Sequence, residues 1–158
     1  MKHQANFPEI TEAEWELMRI LWAHPNSTSR EIIEIAQSFL EWKEGTIKSL
    51  LNRLTKKGLV TQDTKTRPYT YLPRQAQMQA NKKMFLKQLN RVCTKKRHQI
   101  LETLIEETEL SQSNCQVLID LLITKKENSP KQVACQCHPG QCDCHMNEKE
   151  YNHENTNS

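Results

Sequence analysis

Apolar residues recur along the first third of the chain at the spacing of helices that pack by one face. Trp15, Met18, Leu21 and Trp22 fall at i, i+3, i+6 and i+7, which makes one side of a first helix apolar. Thr11-Glu12-Ala13-Glu14 reads as a capping box, with Thr11 at the N-cap and Glu14 at N3, and Ile10 and Trp15 stand where a hydrophobic staple closes. His24-Pro25-Asn26 ends that helix. Thr28-Ser29-Arg30-Glu31 repeats the box ahead of Ile32, Ile35, Ala36 and Phe39, so a second helix follows. A third runs from about Glu44 to Lys57, with Ile47, Leu50, Leu51 and Leu54 inward and Gly58 at a left-handed cap. The period then changes: LVTQD and YTYL read as two short strands joined by a polar turn containing Lys65, Thr66, Arg67 and Pro68.

Three short helices followed by a hairpin is the order of a winged helix-turn-helix, expected over residues 1–73. From Arg74 no further strand signal appears. Met78, Phe85, Leu89 and Val92, then Ile100, Leu101, Leu104 and Ile105, then Val117, Leu118, Leu121 and Leu122 trace three thin apolar stripes. Such stripes bury poorly within one chain and predict pairing with the same elements of a second copy. Residues 74–128 are therefore a helical dimerisation region and the protein a homodimer. Cys93 and Cys115 fall within it and are expected to be core residues. Residues 129–158 are polar and aperiodic, a flexible tail apart from one cysteine cluster and ending in EYNHENTNS. The fold class is mainly α with a small β hairpin.

Charge changes the picture only when divided along the chain. The net charge is +3, but residues 1–42 carry 3 basic and 7 acidic side chains while residues 43–74 carry 8 basic and 2 acidic. With its apolar residues inward, the third helix turns Thr46, Lys48, Ser49, Asn52, Arg53 and Lys56 outward. Hydroxyls and amides suit base edges or phosphates at close range, and the cations reach guanine or the backbone. That face is the expected contact with double-stranded operator DNA, flanked by phosphate contacts from Lys65 and Arg67 in the wing, which otherwise form a soluble hairpin tip. The run Lys82 to Arg97, seven cations without an acid, reads as a solvated helical face. No acid, base or nucleophile constellation is present, and three glycines leave no phosphate-cradling loop, so an enzyme is not expected. The first twenty residues lack the apolar core of a signal peptide and no stretch is long enough to span a bilayer, which places the chain in the cytoplasm, with no membrane partner.

ITEAEWELMRILW, TIKSLLNRLTKKGLV and RPYTYLP together resemble the BlaI/MecI/CopY family of winged-helix repressors, which includes the penicillinase repressors and the copper-responsive CopY repressors. The resemblance implies a homodimer on a palindromic operator with the third helix in the major groove. Two departures separate the chain from the penicillinase branch. Lys43-Glu44-Gly45 stands where that branch has Ser-Pro-Lys, and Thr103-Leu104 stands where it has the Asn-Phe bond cut on induction. A different inducer is needed.

CQCHPGQCDC supplies one. Cys135, Cys137, Cys142 and Cys144 form Cys-x-Cys-x4-Cys-x-Cys, and in a reducing compartment such crowding points to metal rather than disulfides. Thiolates favour Cu(I) and Zn(II) over hard cations. Pro139-Gly140 supplies the reversal that brings the two pairs together. Four sulfurs satisfy one tetrahedral Zn(II), and closely spaced sulfurs also suit two bridged Cu(I) ions. His138 and His145 flank the thiols as spectators. One Zn(II) and two Cu(I) give four thiolates the same formal charge, so opposite effects on DNA binding must come from geometry. The copper-responsive repressors carry this same motif. The resemblance implies Zn(II) in the DNA-binding form, Cu(I) as the inducer that replaces it at copper-homeostasis genes, and a copper chaperone as a source of Cu(I). A metal-buffering thiolate protein, or a repressor responding to another thiophilic metal or to oxidants, remains open from the residues themselves.

Overall fold

The computed structural model describes residues 8–144; His145 and the part of the expected tail beyond it lie outside them. The chain divides into two compact units, residues 1–83 and 84–158. In the first, helix α1 (Glu12–Ala23) leads to strand β1 (Ser27–Thr28), α2 (Ser29–Gln37), α3 (Glu44–Lys56), β2 (Val60–Asp63) and β3 (Thr70–Pro73). Helix α4 (Gln77–Leu89) runs across the division. In the second unit a short 3-10 turn (Thr94–Lys96) precedes α5 (Arg97–Glu107) and α6 (Gln112–Glu127). No helix among the described residues is long and apolar enough to cross a membrane.

The predicted caps form as hydrogen bonds. Thr11 and Glu14 close one capping box and Thr28 and Glu31 a second, while Ser111 and Asn114 close a third at α6. Helix α3 ends in a Schellman motif: Gly58 adopts φ +72, its amide bonds the Thr55 carbonyl at 3.0 Å, and the Leu59 amide bonds that of Leu54 at 3.1 Å. The hairpin gains a third strand. Ser27 pairs with Tyr71 and Thr28 with Thr70 in an antiparallel sheet of order β1-β3-β2. A two-residue strand whose second residue also caps a helix carries too little alternation to be visible beforehand.

The core joins Leu17, Met18, Ile20 and Leu21 of α1 to Ile32, Ile33 and Ala36 of α2 and Ile47, Leu50, Leu51 and Leu54 of α3, with Leu59, Val60 and Tyr71 beneath. The buried stripe of α1 is thus centred on Leu17 and Leu21. Trp15 and Trp22 are only half-buried and pack on each other, ring centroids 5.5 Å apart; the Trp22 indole also donates to the Gln75 carbonyl at 2.7 Å. Phe39, expected on the inner face of the second helix, lies beyond its end and is exposed.

Glu14 does more than cap. Its side chain is completely buried, and an unpaired carboxylate there would cost several kcal/mol. Lys57 meets Oε2 at 2.6 Å, Arg53 meets Oε1 at 3.1 Å, and the Thr11 amide donates to Oε2 at 3.0 Å. The start of α1 is thereby bonded to the end of α3. Burial pushes the carboxyl up, but the hydrogen bonds from Lys57 and Thr11 and the charges of Lys57 and Arg53 outweigh it and hold the group below its ordinary 4.5. A lowered folded value gives stability that is complete above about pH 4.5 and is lost as pH falls through it. Glu14→Gln is expected to cost about 2–3 kcal/mol at pH 7 and to flatten the acid limb of the stability profile. Urea unfolding of both proteins between pH 3 and 7 checks this, and coincident profiles would contradict it.

Candidate functional site

Within the second unit, four thiols converge. The Sγ of Cys93 lies 3.3 Å from that of Cys144 and 3.5 Å from that of Cys135, and Cys135 lies 3.3 Å from Cys142. All four sulfurs are within 4.8 Å of one another, and all six cysteines are free thiols. The tail reaches this geometry through the predicted reversal. Pro139 and Gly140 occupy the centre of a turn closed by the Gln141 amide on the His138 carbonyl at 3.0 Å, with Gly140 at φ +87, the positive value that position of a type II turn requires.

The other side of the cluster is the junction of α4 and α5. Cys93 has extended backbone, φ −50 and ψ 133, and is buried. Two contacts hold the tail on this junction. Thr94 Oγ1 donates to the Ala134 carbonyl at 2.7 Å, and Lys96 Nζ pairs with Asp143 Oδ1 at 2.5 Å. Each anchors the residue preceding a cluster cysteine.

Cys93 was expected in a core. It is buried, but its sulfur faces thiols. Cys115, given the same expectation, sits exposed on α6. Of the four predicted ligands, the structure brings Cys135, Cys142 and Cys144 into the tight group. Cys137 approaches Cys135, Cys142 and Cys93 and also lines an open groove of about 590 Å³ with His138, Arg91 and Arg97. The one signal that singled out Cys93 was its residue type, since 42 residues separate it from Cys135.

Crowding splits the acidities. The hydrogen bond from Cys144 brings the Cys93 thiol down to about 6, while that same contact, with burial, pushes Cys144 up to about 12. Burial and the neighbouring thiols push Cys137 up to about 12, and Cys142 is lowered by the backbone of Cys144 and the side chain of Cys135. A close set of sulfurs that shares protons in this way, with no carboxylate in the group, fits a thiophilic ion and not a hard one.

In the first unit, Thr46, Lys48, Ser49, Asn52, Arg53 and Lys56 are all exposed on α3, as are Lys65 and Arg67 between β2 and β3. They are not equivalent. Arg53 is held by Glu14, Lys48 pairs with Glu44, and Ser49 donates to the Gly45 carbonyl at 2.9 Å. The Arg67 guanidinium lies 5.6 Å from the Tyr69 ring centroid. Lys43, at the N-cap of α3, makes no side-chain capping bond.

The penicillinase repressor family model matches residues 10–124, through both units. The chain belongs to this family of winged-helix repressors. It is 36% identical over 143 residues to an "Uncharacterized 16.5 kDa protein in ptsI 3'region" of Latilactobacillus sakei, covering 90% of this chain and 98% of that one. It is 28% identical to the methicillin resistance regulatory protein MecI of Mammaliicoccus sciuri, covering 74% of this chain and 95% of that one. The solution structure of the DNA binding domain of the repressor BlaI aligns with 45% of this chain and 87% of that one, at 31% identity and a TM-score of 0.42. The family match stops at residue 124, before the thiol-bearing tail, whereas the similarity to the Latilactobacillus sakei protein spans 90% of this chain.

The shared proton of the cluster has a direct readout. The ultraviolet thiolate absorbance of the metal-free protein is expected to rise in a first step near pH 6, and Cys93→Ala is expected to remove that step. A first step near the ordinary thiol value of about 8.5 in the wild type would contradict it.

Proposed function

We propose that this chain is a copper-responsive transcriptional repressor that binds a palindromic operator as a homodimer in its zinc form and is released when Cu(I) takes over the tail thiolates. The observation that carries this reading is the packing of four thiols within 4.8 Å of one another in a chain of the repressor family. Soft sulfur donors select Zn(II) and Cu(I). Zn(II) would be held by one tetrahedral set; Cu(I), content with fewer sulfurs per ion, asks for a different arrangement of the same residues. Because the formal charges match, the two forms differ in the shape of the tail and its hold on the helical junction.

DNA contact falls to the α3 face and the wing. Thr46, Asn52 and Lys56 have side chains without a partner among the described residues, so they are available to bases and phosphates. Arg53 has one nitrogen on Glu14, which makes it a brace for the helix and leaves the rest of its guanidinium for a phosphate. Lys56→Ala is expected to weaken binding evenly across sequences and to reduce the salt slope by about one; Asn52→Ala is expected to relax base preference.

Dimerisation has its surface on α5 and α6. Ile100, Leu101, Leu104 and Ile105 on α5, and Val117, Leu121 and Leu122 on α6, are between 43% and 66% exposed in the single chain. Contiguous apolar helix faces of this kind are covered by a partner in soluble proteins, and a second copy supplies the two-fold symmetry a palindrome requires. Leu121→Asp is expected to give a monomer in sedimentation equilibrium and to lose about a hundredfold in operator affinity through lost avidity.

The copper reading is tested by gel-shift titration of the zinc-loaded protein on its operator with Cu(I), comparing wild type with Cys142→Ser. The wild type is expected to release DNA and the variant to show no copper response. A variant that responds like the wild type would overturn the assignment, and release by Cd(II) or oxidant ahead of Cu(I) would reassign the inducer.

A further inference from the structure

Four tail cysteines alone would place a bound ion on a loop beyond the last helix. The structure places the sulfur of Cys93 among them instead. A Zn–S bond of about 2.3 Å gives a tetrahedral set whose sulfurs are about 3.8 Å apart. Cys93, Cys135, Cys142 and Cys144 stand at closest contacts of 3.3, 3.5 and 3.3 Å with no separation above 4.8 Å. Only small displacements separate that group from the required tetrahedron.

We propose that Cys93 is a metal ligand, completing a four-sulfur site with Cys135, Cys142 and Cys144, and that Cys137 is a fifth, outlying thiol facing the groove beside His138 and Arg97. This rests on the reading of the tail as a metal site and names which side chains hold the ion. Two further contacts support it. Thr94 and Lys96, on the turn that Cys93 begins, hold Ala134 and Asp143, so the segment that bears Cys93 sets the position of both arms of the tail. Cys93 is also buried at the junction of α4 and α5, so a bond from it to the ion joins the tail to the helical region. Exchange of the ion then acts on the α4–α5 junction directly. A site confined to the tail has no such attachment.

The test uses the full chain and zinc alone. Competition against a chelator is run on the wild type, Cys93→Ser, Cys137→Ser and Cys142→Ser, with helicity checked for each. Cys93→Ser is expected to weaken zinc by more than about a hundredfold, beyond the loss that removing a supporting partner causes, while Cys137→Ser stays within about threefold of wild type. In the zinc-loaded wild type, mass-mapped alkylation is expected to modify Cys137 and spare Cys93, which is modified once zinc is removed. This second measurement needs no variant to fold. Zinc affinity unchanged by Cys93→Ser, or a greater loss from Cys137→Ser, would overturn the proposal in favour of a tail-only site. Unchanged affinity in Cys142→Ser, a residue shared by both sets, would instead sink the metal reading itself.

Discussion

The convergence of thiols from the α4–α5 junction and the tail is the constraint around which the second unit is arranged. A loop of aperiodic, polar residues has no apolar face with which to pack, yet residues 134–144 hold a defined path. They do so because Thr94 and Lys96 fix one residue in each arm and because Pro139-Gly140 turns the chain between them. Without a metal, the sulfurs resolve their crowding by sharing protons, which is why Cys93 and Cys144 shift in opposite directions. A thiophilic cation replaces those protons and turns weak sulfur contacts into coordinate bonds.

The first unit rests on a different device. Its small core is supplied by three helices and a three-stranded sheet, and the helix expected to read DNA is pinned at its far end by a buried carboxylate. Glu14 satisfies the first turn of α1, Lys57 and Arg53 at once. That arrangement fixes the angle of α3 while leaving Thr46, Asn52 and Lys56 outward. A reader helix held by its C-terminal turn presents its N-terminal and middle residues in a constant orientation, which suits recognition that depends on placement within a groove.

Local chemistry was legible in the chain. The Thr11 and Thr28 caps and the Gly58 terminus are decided within a few residues, so their pattern announces them, and the reversal at Pro139-Gly140 belongs to the same class. Contacts across long stretches were not. Glu14 reads as a capping residue, and nothing near it announces Lys57, 43 residues on. Cys93 reads as a small apolar residue, and its place beside Cys135 follows only once α4 ends and the tail turns back. The tryptophans show the limit of periodicity: Trp15 and Trp22 share a helical face, but Leu17 and Leu21, one step round the helix, point more directly at α2 and α3. Cys115 and Phe39 mark the same limit, being apolar by type and exposed in the fold.

In the proposed mechanism the tail converts metal identity into DNA affinity. That conversion is tested most directly by fluorescence anisotropy of zinc-loaded protein on labelled operator DNA as Cu(I) is added, comparing the full chain with one ending at Ser129. The full chain is expected to be released by Cu(I), and the shortened chain to keep whatever affinity it has, indifferent to copper. Release of the shortened chain at the same Cu(I) concentration would contradict that mechanism.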